Sequence, residues 1–255
     1  MKKIFIKICK LFGFEIIDQN KFTSPTLEKE LNEDLSTINK KSIVLPLGEV
    51  KITRKVSSIL IVLRVNTEIE IWDQNKKRLF EFPKLEYSIR SINSLIKSIN
   101  FCEKKYPKLR IKTIIVDDNS KSENLDKINM LINGKKIEII SLDHKKYETK
   151  IKKQKNIETF SNLASLLQSF ESGKALGEDL IFFIEDDYIH LESMLEEMIA
   201  SYERIASQLN KDIFMCPSDY PYLYMNNEKT NIMIGSKRHW RTINKSLCTF
   251  LTSNN

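Results

Sequence analysis

The sequence predicts an α/β protein: an open, mostly parallel sheet flanked by helices, carried behind an N-terminal extension. Three observations predict it. Near-continuous apolar runs at 58–65, 111–116 and 180–184 have the composition of strands buried on both faces. Between them, apolar residues recur at three- and four-residue steps, the period of an amphipathic helix. The second and third runs end abruptly in acids, at Asp117-Asp118-Asn119-Ser120 and Glu185-Asp186-Asp187. In sheets of this kind the strand carboxyl ends form the ligand crevice, because the loops there are free of the packing that buries the strands.

Taken in order, the first segment places Ile4, Phe5, Ile8, Leu11, Phe12 and Ile16 at helical spacing with Lys2, Lys3, Lys7 and Lys10 largely between them. A short basic amphipathic helix follows, suited either to an anionic membrane surface or to packing on its own domain. Lys7 and Lys10 interrupt any apolar signal-peptide core, which argues against secretion. Residues 18–41 are polar and lack a period, so they read as a linker or loosely packed arm. We set the extension at residues 1–56 and the main domain at 57–255. That domain opens with the strand at 58–65, followed by a short strand at Glu68 to Trp72 and a helix over 86–106 carrying Ile89, Ile92, Leu95, Ile96, Ile99 and Cys102. Next come the strand at 111–116, a helix, and a strand at 136–140. A helix with Phe160, Leu163, Leu166, Leu167 and Phe170 on its apolar face precedes the strand at 180–184, and a helix over 191–209 follows it. Strands alternating with helices define the α/β class.

Composition narrows the partners. At 41% hydrophobic and 29% charged residues the chain is that of a soluble globular protein. No apolar stretch approaches the roughly 18 residues that span a bilayer. A net charge of +7 fits an anionic partner, although part of the lysine excess belongs with the general richness in Ile and Asn. Cys9, Cys102, Cys216 and Cys248 are scattered, with neither zinc-site nor disulfide spacing, as expected of reduced thiols in a cytoplasm.

Each acid cluster is read as following an apolar run with no compensating Lys or Arg. Adjacent carboxylates repel, and their burial is costly unless a cation neutralises them. A hard divalent ion with oxygen ligands is the natural neutraliser. Each cluster also has a plainer reading, the first as a helix N-cap and turn, the second as a solvated strand end near a helix N-terminus. Two clusters at two strand ends are more specific than either alone.

The segments SILIVLRVN, IIVDDNS, NLASLLQSF and DLIFFIEDDY, in that order, resemble the GT-A glycosyltransferases, especially the family-two type, over residues 57–252. The resemblance implies that Asp117 and Asp118 contact the uracil or ribose of a nucleotide sugar. It implies a divalent cation, Mn or Mg, on the acidic triplet, with Asp187 the main ligand and Glu185 and Asp186 in water-mediated or ribose contacts. Arg64 and Asn66, at the end of the first strand, fall where that family's nucleotide pocket begins. Inverting members need a carboxylate to deprotonate the acceptor hydroxyl, and Asp219, among aromatics in MCPSDYPYLY, is the candidate; a turn residue before Pro221 is the competing reading. Lys237, Arg238, His239, Trp240 and Arg241 suit a diphosphate or an acceptor sugar, or form a basic surface turn, and the resemblance allows His239 as a further metal ligand, as a histidine is in some GT-A enzymes. The implied donor is a nucleotide-diphosphate sugar, UDP favoured, and the acceptor a saccharide or lipid-linked saccharide, with no nucleic acid. The implied location is cytoplasmic, with peripheral contact at the inner membrane surface open. Family members normally continue past Leu251, so the resemblance also implies a short form or a fragment.

Other readings compete. A nucleotidyltransferase shares the layout but usually carries a Gly-rich basic loop after its first strand, and RVNTEIEIWDQN is not one. Neither a dinucleotide fingerprint nor a Walker motif is present. A phosphorylatable receiver needs an Asp where this chain has Asn162. A non-enzymatic basic module for membranes or nucleic acid would use the first helix and residues 145–155, but leaves both acid clusters without a role.

Overall fold

The computed structural model describes residues 2–14, 36–44, 48–68, 82–151, 157–218, 220, 230–245 and 247–254. The elements are α1 (Lys2–Leu11), β1 (Ser36–Thr37), β2 (Lys41–Val44), β3 (Gly48–Lys51), β4 (Ser58–Val65), α2 (Lys84–Lys105), β5 (Arg110–Asp117), α3 (Ser122–Ile132), β6 (Ile137–Ser141), α4 (His144–Tyr147), α5 (Ile157–Leu176), β7 (Leu180–Glu185), α6 (Met194–Leu209), β8 (Ile232–Ile234), β9 (His239–Arg241) and β10 (Phe250–Ser253). The short strand expected at Glu68 to Trp72 lies outside the described residues.

The main sheet has five strands in the order β10-β7-β4-β5-β6, parallel except for β10. This is the mostly parallel, helix-flanked α/β architecture the apolar runs predict. β4 is central because its run is apolar on both faces; every residue but Arg64 is buried. Alternate residues divide between two cores. Ile59, Ile61, Leu63 and Val65 pack with Ile92 and Leu95 of α2, Ile128 of α3, and Leu195, Met198 and Tyr202 of α6. Leu60 and Val62 pack with Ile114, Val116, Ile181 and Phe183 on the opposite face. From β4 the chain steps to β5 and β6, then returns across β4 to β7. The order therefore reverses between β4 and β7, which makes their carboxyl ends a topological switch point. The apolar segment 213–216 adds only a single bridge, Met215 to Leu251 of β10.

One helix presents a different face from the one its apolar periodicity predicts. The residues α5 buries include Ser161, Ala164, Ser165, Gln168 and Ser169, while Phe160, Leu163 and Leu167 are partly buried against Leu142, Tyr147 and Ile151. Close approach to the sheet is the reason. A Cβ at Gly173 would stand 2.8 Å from the Phe183 ring, so small residues are required where α5 meets the strands.

Asn39, Thr53, Arg54 and Val56, all assigned to the extension, are hydrogen-bonded to α6. β1, β2 and β3 form a separate antiparallel sheet, and Ile38, Ile52 and Val56 are buried. Glu203 of α6 accepts from the Val56 N–H at 2.6 Å and the Asn39 N–H at 2.7 Å. The Ser207 hydroxyl accepts from the N–H groups of Thr53 and Arg54. Arg54 is ion-paired to Asp179 and Asp212, both at 2.7 Å.

Burial pushes the Glu203 carboxyl up to about 7, against the opposing pull of its two N–H donors. The folded protein therefore holds this proton more tightly than the unfolded chain does. Stability falls as pH rises from the ordinary carboxylate range through about 7, by at most about 3 kcal/mol from this group. Denaturant melts across that window are expected to show the decline, with a shallower slope in Glu203→Gln. A slope unchanged by the substitution would assign the pH dependence to other groups.

Candidate active site

Parallel register brings the acids together. Val65 lies opposite Asp117, and Arg64 opposite Glu185, so three strand ends deliver their side chains to one crevice. Asn66, the residue after β4, joins the two clusters: its side-chain amide donates to Asp118 at 3.1 Å and its backbone N–H to Asp186 at 3.4 Å. The nucleotide-site candidates Arg64, Asn66, Asp117, Asp118 and Asp186 and the metal candidates Glu185 and Asp187 thus occupy one site, although the clusters are about seventy residues apart in sequence.

The premise that the acids lack compensating cations does not hold. Arg64 pairs with Glu185 at 2.6 Å, and Lys84, in the first turn of α2, pairs with Asp186 at 2.6 Å. Neither partner is in an apolar run next to the acids in sequence; one comes from the neighbouring strand, the other from a helix that begins at the crevice. Asp186 also accepts from the Ser88 hydroxyl. Arg64 is held on its other side by the side-chain oxygen of Asn162 at 2.9 Å. Asp187 is exposed, and no side-chain donor or cation is bonded to it among the described residues.

Asp118 is buried and fully engaged. It accepts from the Ser161 hydroxyl at 2.7 Å, is hydrogen-bonded to His144 Nε2 at 2.8 Å, and takes the Asn66 amide. This is not a nucleophilic triad, since the serine bonds the carboxylate directly and the imidazole approaches both through one nitrogen. Asp117 differs. One of its oxygens accepts the Ser120 N–H at 3.2 Å, which is the turn role expected of this motif, while Oδ1 is buried with no partner among the described residues. A buried acceptor without a donor is costly and calls for an explanation. Burial raises the pKa of Asp117, with Asp118 and Asp186 adding to the effect. Desolvation likewise raises Glu185 and, although its side chain reaches solvent, Asp187, against the opposing charges of Arg64 and Lys84 respectively.

Whether these acids suit a divalent ion follows from who already holds them. Among the described residues no three His, Cys, Asp or Glu side chains are arranged to grip a metal together. A single unpaired carboxylate, Asp187, beside a cation-neutralised Glu185 and Asp186 does not make a preformed cage. It does suit Mg²⁺ or a similar ion taken through one or two carboxylates with the remaining ligands from substrate phosphate and water.

The remaining candidates sit differently. Asp219 lies outside the described residues; the neighbouring Tyr220 hydroxyl is hydrogen-bonded to that of Tyr188. The basic tail is not at the crevice where its structure is fixed. Lys237 pairs with Glu196 at 2.8 Å, as does Lys105 at the last turn of α2, while Lys84 at the first turn of the same helix touches Asp186. A helix of 22 residues, about 33 Å long, therefore separates the Lys237 anchor from the acids. Trp240 Nε1 donates to Glu197, and His239 is exposed on the same hairpin, so His239 does not complete a metal site. Residues that sequence reasoning missed are Lys84, Ser88, His144 and Ser161. Lys84 had a signal: Pro83 marks a helix start, and a helix following β4 must begin at the crevice.

No family model and no curated protein matches the chain. Among solved structures it is similar to S. aureus TarS 1–349, with a TM-score of 0.41 and 13% identity over 77% of this chain and 47% of that one. The chain thus spans about half the length of that structure. No helix among the described residues is long and apolar enough to cross a membrane.

Proposed function

We propose that the chain is a GT-A-like glycosyltransferase that moves a sugar from a nucleotide-diphosphate sugar, UDP-linked by preference, to an acceptor hydroxyl with inversion. The observation that carries this reading is the Asn66 bridge, which makes one site of the two acid clusters at the switch point of the sheet. The order of motifs in the sequence supplies the resemblance.

On this reading Asp117 Oδ1 is the acceptor for a donor group of the base, which accounts for a buried oxygen that the protein itself leaves unmet. Asp118, fixed by Ser161, His144 and Asn66, shapes the nucleoside side of the pocket. Asp187, with Glu185 through water, would hold a divalent cation on the diphosphate, where it supplies charge stabilisation as the glycosidic bond breaks. Arg64 and Lys84 neutralise Glu185 and Asp186, so that the crevice does not repel a diphosphate in the free protein. Asp219 is the proposed base that takes the acceptor proton. The acceptor is a saccharide or a lipid-linked saccharide.

Asp117→Asn tests the reading directly. The substitution keeps an acceptor for Ser120 and removes a desolvated charge, so the melting temperature is expected to hold or rise. UDP affinity by calorimetry is expected to fall by about 1–3 kcal/mol, because an amide donor replaces the acceptor facing the base. No binding of UDP or of any nucleotide sugar to the unaltered protein, with or without manganese, would remove the proposal.

A further inference from the structure

The first helix offers a surface that the proposed reaction does not use. α1 is closed by a left-handed Gly13 (φ +80°), with the Phe14 N–H bonded to the Cys9 carbonyl at 2.9 Å and the Gly13 N–H to that of Lys10 at 3.1 Å. This is a Schellman stop, which only glycine adopts without strain and which fixes Phe14 beside the last turn. Ile4, Phe5, Ile8, Leu11, Phe12 and Phe14 are between 47 and 85% exposed. On a helical wheel Ile4, Phe5, Ile8, Leu11 and Phe12 share one face. Lys2, Lys3 and Lys10 fall on the other side together with Ile6, Lys7 falls nearer the edge, and no residue from 2 to 14 is acidic.

We infer that α1 is a membrane-surface anchor that lays its apolar face into an anionic lipid bilayer. A face of this kind must be covered by something, and three features select the cover. Its apolar side chains are large and partly aromatic, and its polar side carries only positive charge, the pattern of helices that lie in the headgroup region. A second copy of the chain would bring four more lysines against these four, and a few exposed side chains fall well short of the roughly 1,600 Å² a stable protein interface buries. The chain's own domain leaves the face open. Anionic headgroups match the lysines, and acyl chains match the face between them. The bilayer would then present the acceptor at the surface on which the enzyme sits.

Co-sedimentation of the full chain with vesicles tests the anchor. Phosphatidylcholine vesicles containing phosphatidylglycerol are expected to pellet the protein, and phosphatidylcholine alone much less. Binding is expected to weaken in high salt. Lys7→Gln with Lys10→Gln is expected to lower binding roughly thirtyfold, and Ile8→Ser with Phe12→Ser roughly a hundredfold. Melting temperature, oligomeric state and UDP affinity are expected to match the unaltered protein in both variants, so the anchor and the proposed reaction succeed or fail separately. The inference is overturned if anionic vesicles do not pellet the chain, as a soluble acidic partner would require. It is overturned equally if neutral vesicles pellet it as well, or if both variants still bind. A lower melting temperature in Ile8→Ser with Phe12→Ser would show that the helix docks on its own domain. Loss of a dimer in light scattering would show that it docks on a second copy.

Discussion

Asp187→Ala is expected to lower manganese-supported UDP affinity about a hundredfold, to the level seen without metal, while stability changes by no more than about 0.5 kcal/mol. The asymmetry follows from how the three acids are held. Glu185 and Asp186 are each neutralised by a protein cation, whereas Asp187 is exposed and carries no such partner among the described residues. Truncating it removes no ion pair and no side-chain hydrogen bond among the described residues. Asp186→Ala is the contrast, because it leaves the Lys84 ammonium without its carboxylate in a mostly buried position. That change is expected to cost roughly 3 kcal/mol in a denaturant melt, after allowance for the partial exposure of the lysine. If instead Asp187→Ala bound UDP and manganese as tightly as the unaltered chain, the metal role would belong elsewhere.

Glu197→Ala is expected to be the more damaging change, with a loss of about 3–5 kcal/mol in stability and release of the β8–β9 hairpin from α6. This carboxylate is buried, yet it accepts from the Lys237 N–H at 2.7 Å, the Arg238 N–H at 3.2 Å, Trp240 Nε1 at 3.1 Å and the Ser201 hydroxyl at 2.9 Å. Four donors lose this acceptor at once, with Trp240 Nε1 keeping the Ser201 hydroxyl at 3.1 Å. Gly235 packs close to the same carboxylate, since a Cβ there would stand 2.5 Å from Glu197 Oε1. Trp240 reports on the hairpin, so a red-shifted emission at denaturant concentrations below the global transition is the expected signature. A single transition at the unaltered midpoint would show that the hairpin does not depend on this residue.

The role of the tail was therefore open in the sequence. Lys237, Arg238 and Trp240 share a composition suited to phosphate or sugar, but residue type does not specify distance, and only the packing of α6 against α2 places their anchor a helix length from the acids. The same holds for α5, whose apolar periodicity named a face that close approach to the sheet assigned to serines and alanine instead.

What the sequence determined by itself is the class of fold and the place of the candidate site. Apolar runs of strand length bounded by polar residues read as interior parallel strands, and acids that follow them fall at the strand carboxyl ends, where such sheets form their crevice. What the tertiary structure decided is charge balance. Arg64 meets Glu185 through strand register and Lys84 meets Asp186 through a helix start, so the cluster that reads as three unpaired carboxylates keeps one free carboxylate, Asp187, among the described residues. Pairing across about a hundred residues of chain depends on how elements come together, and no local pattern encodes it.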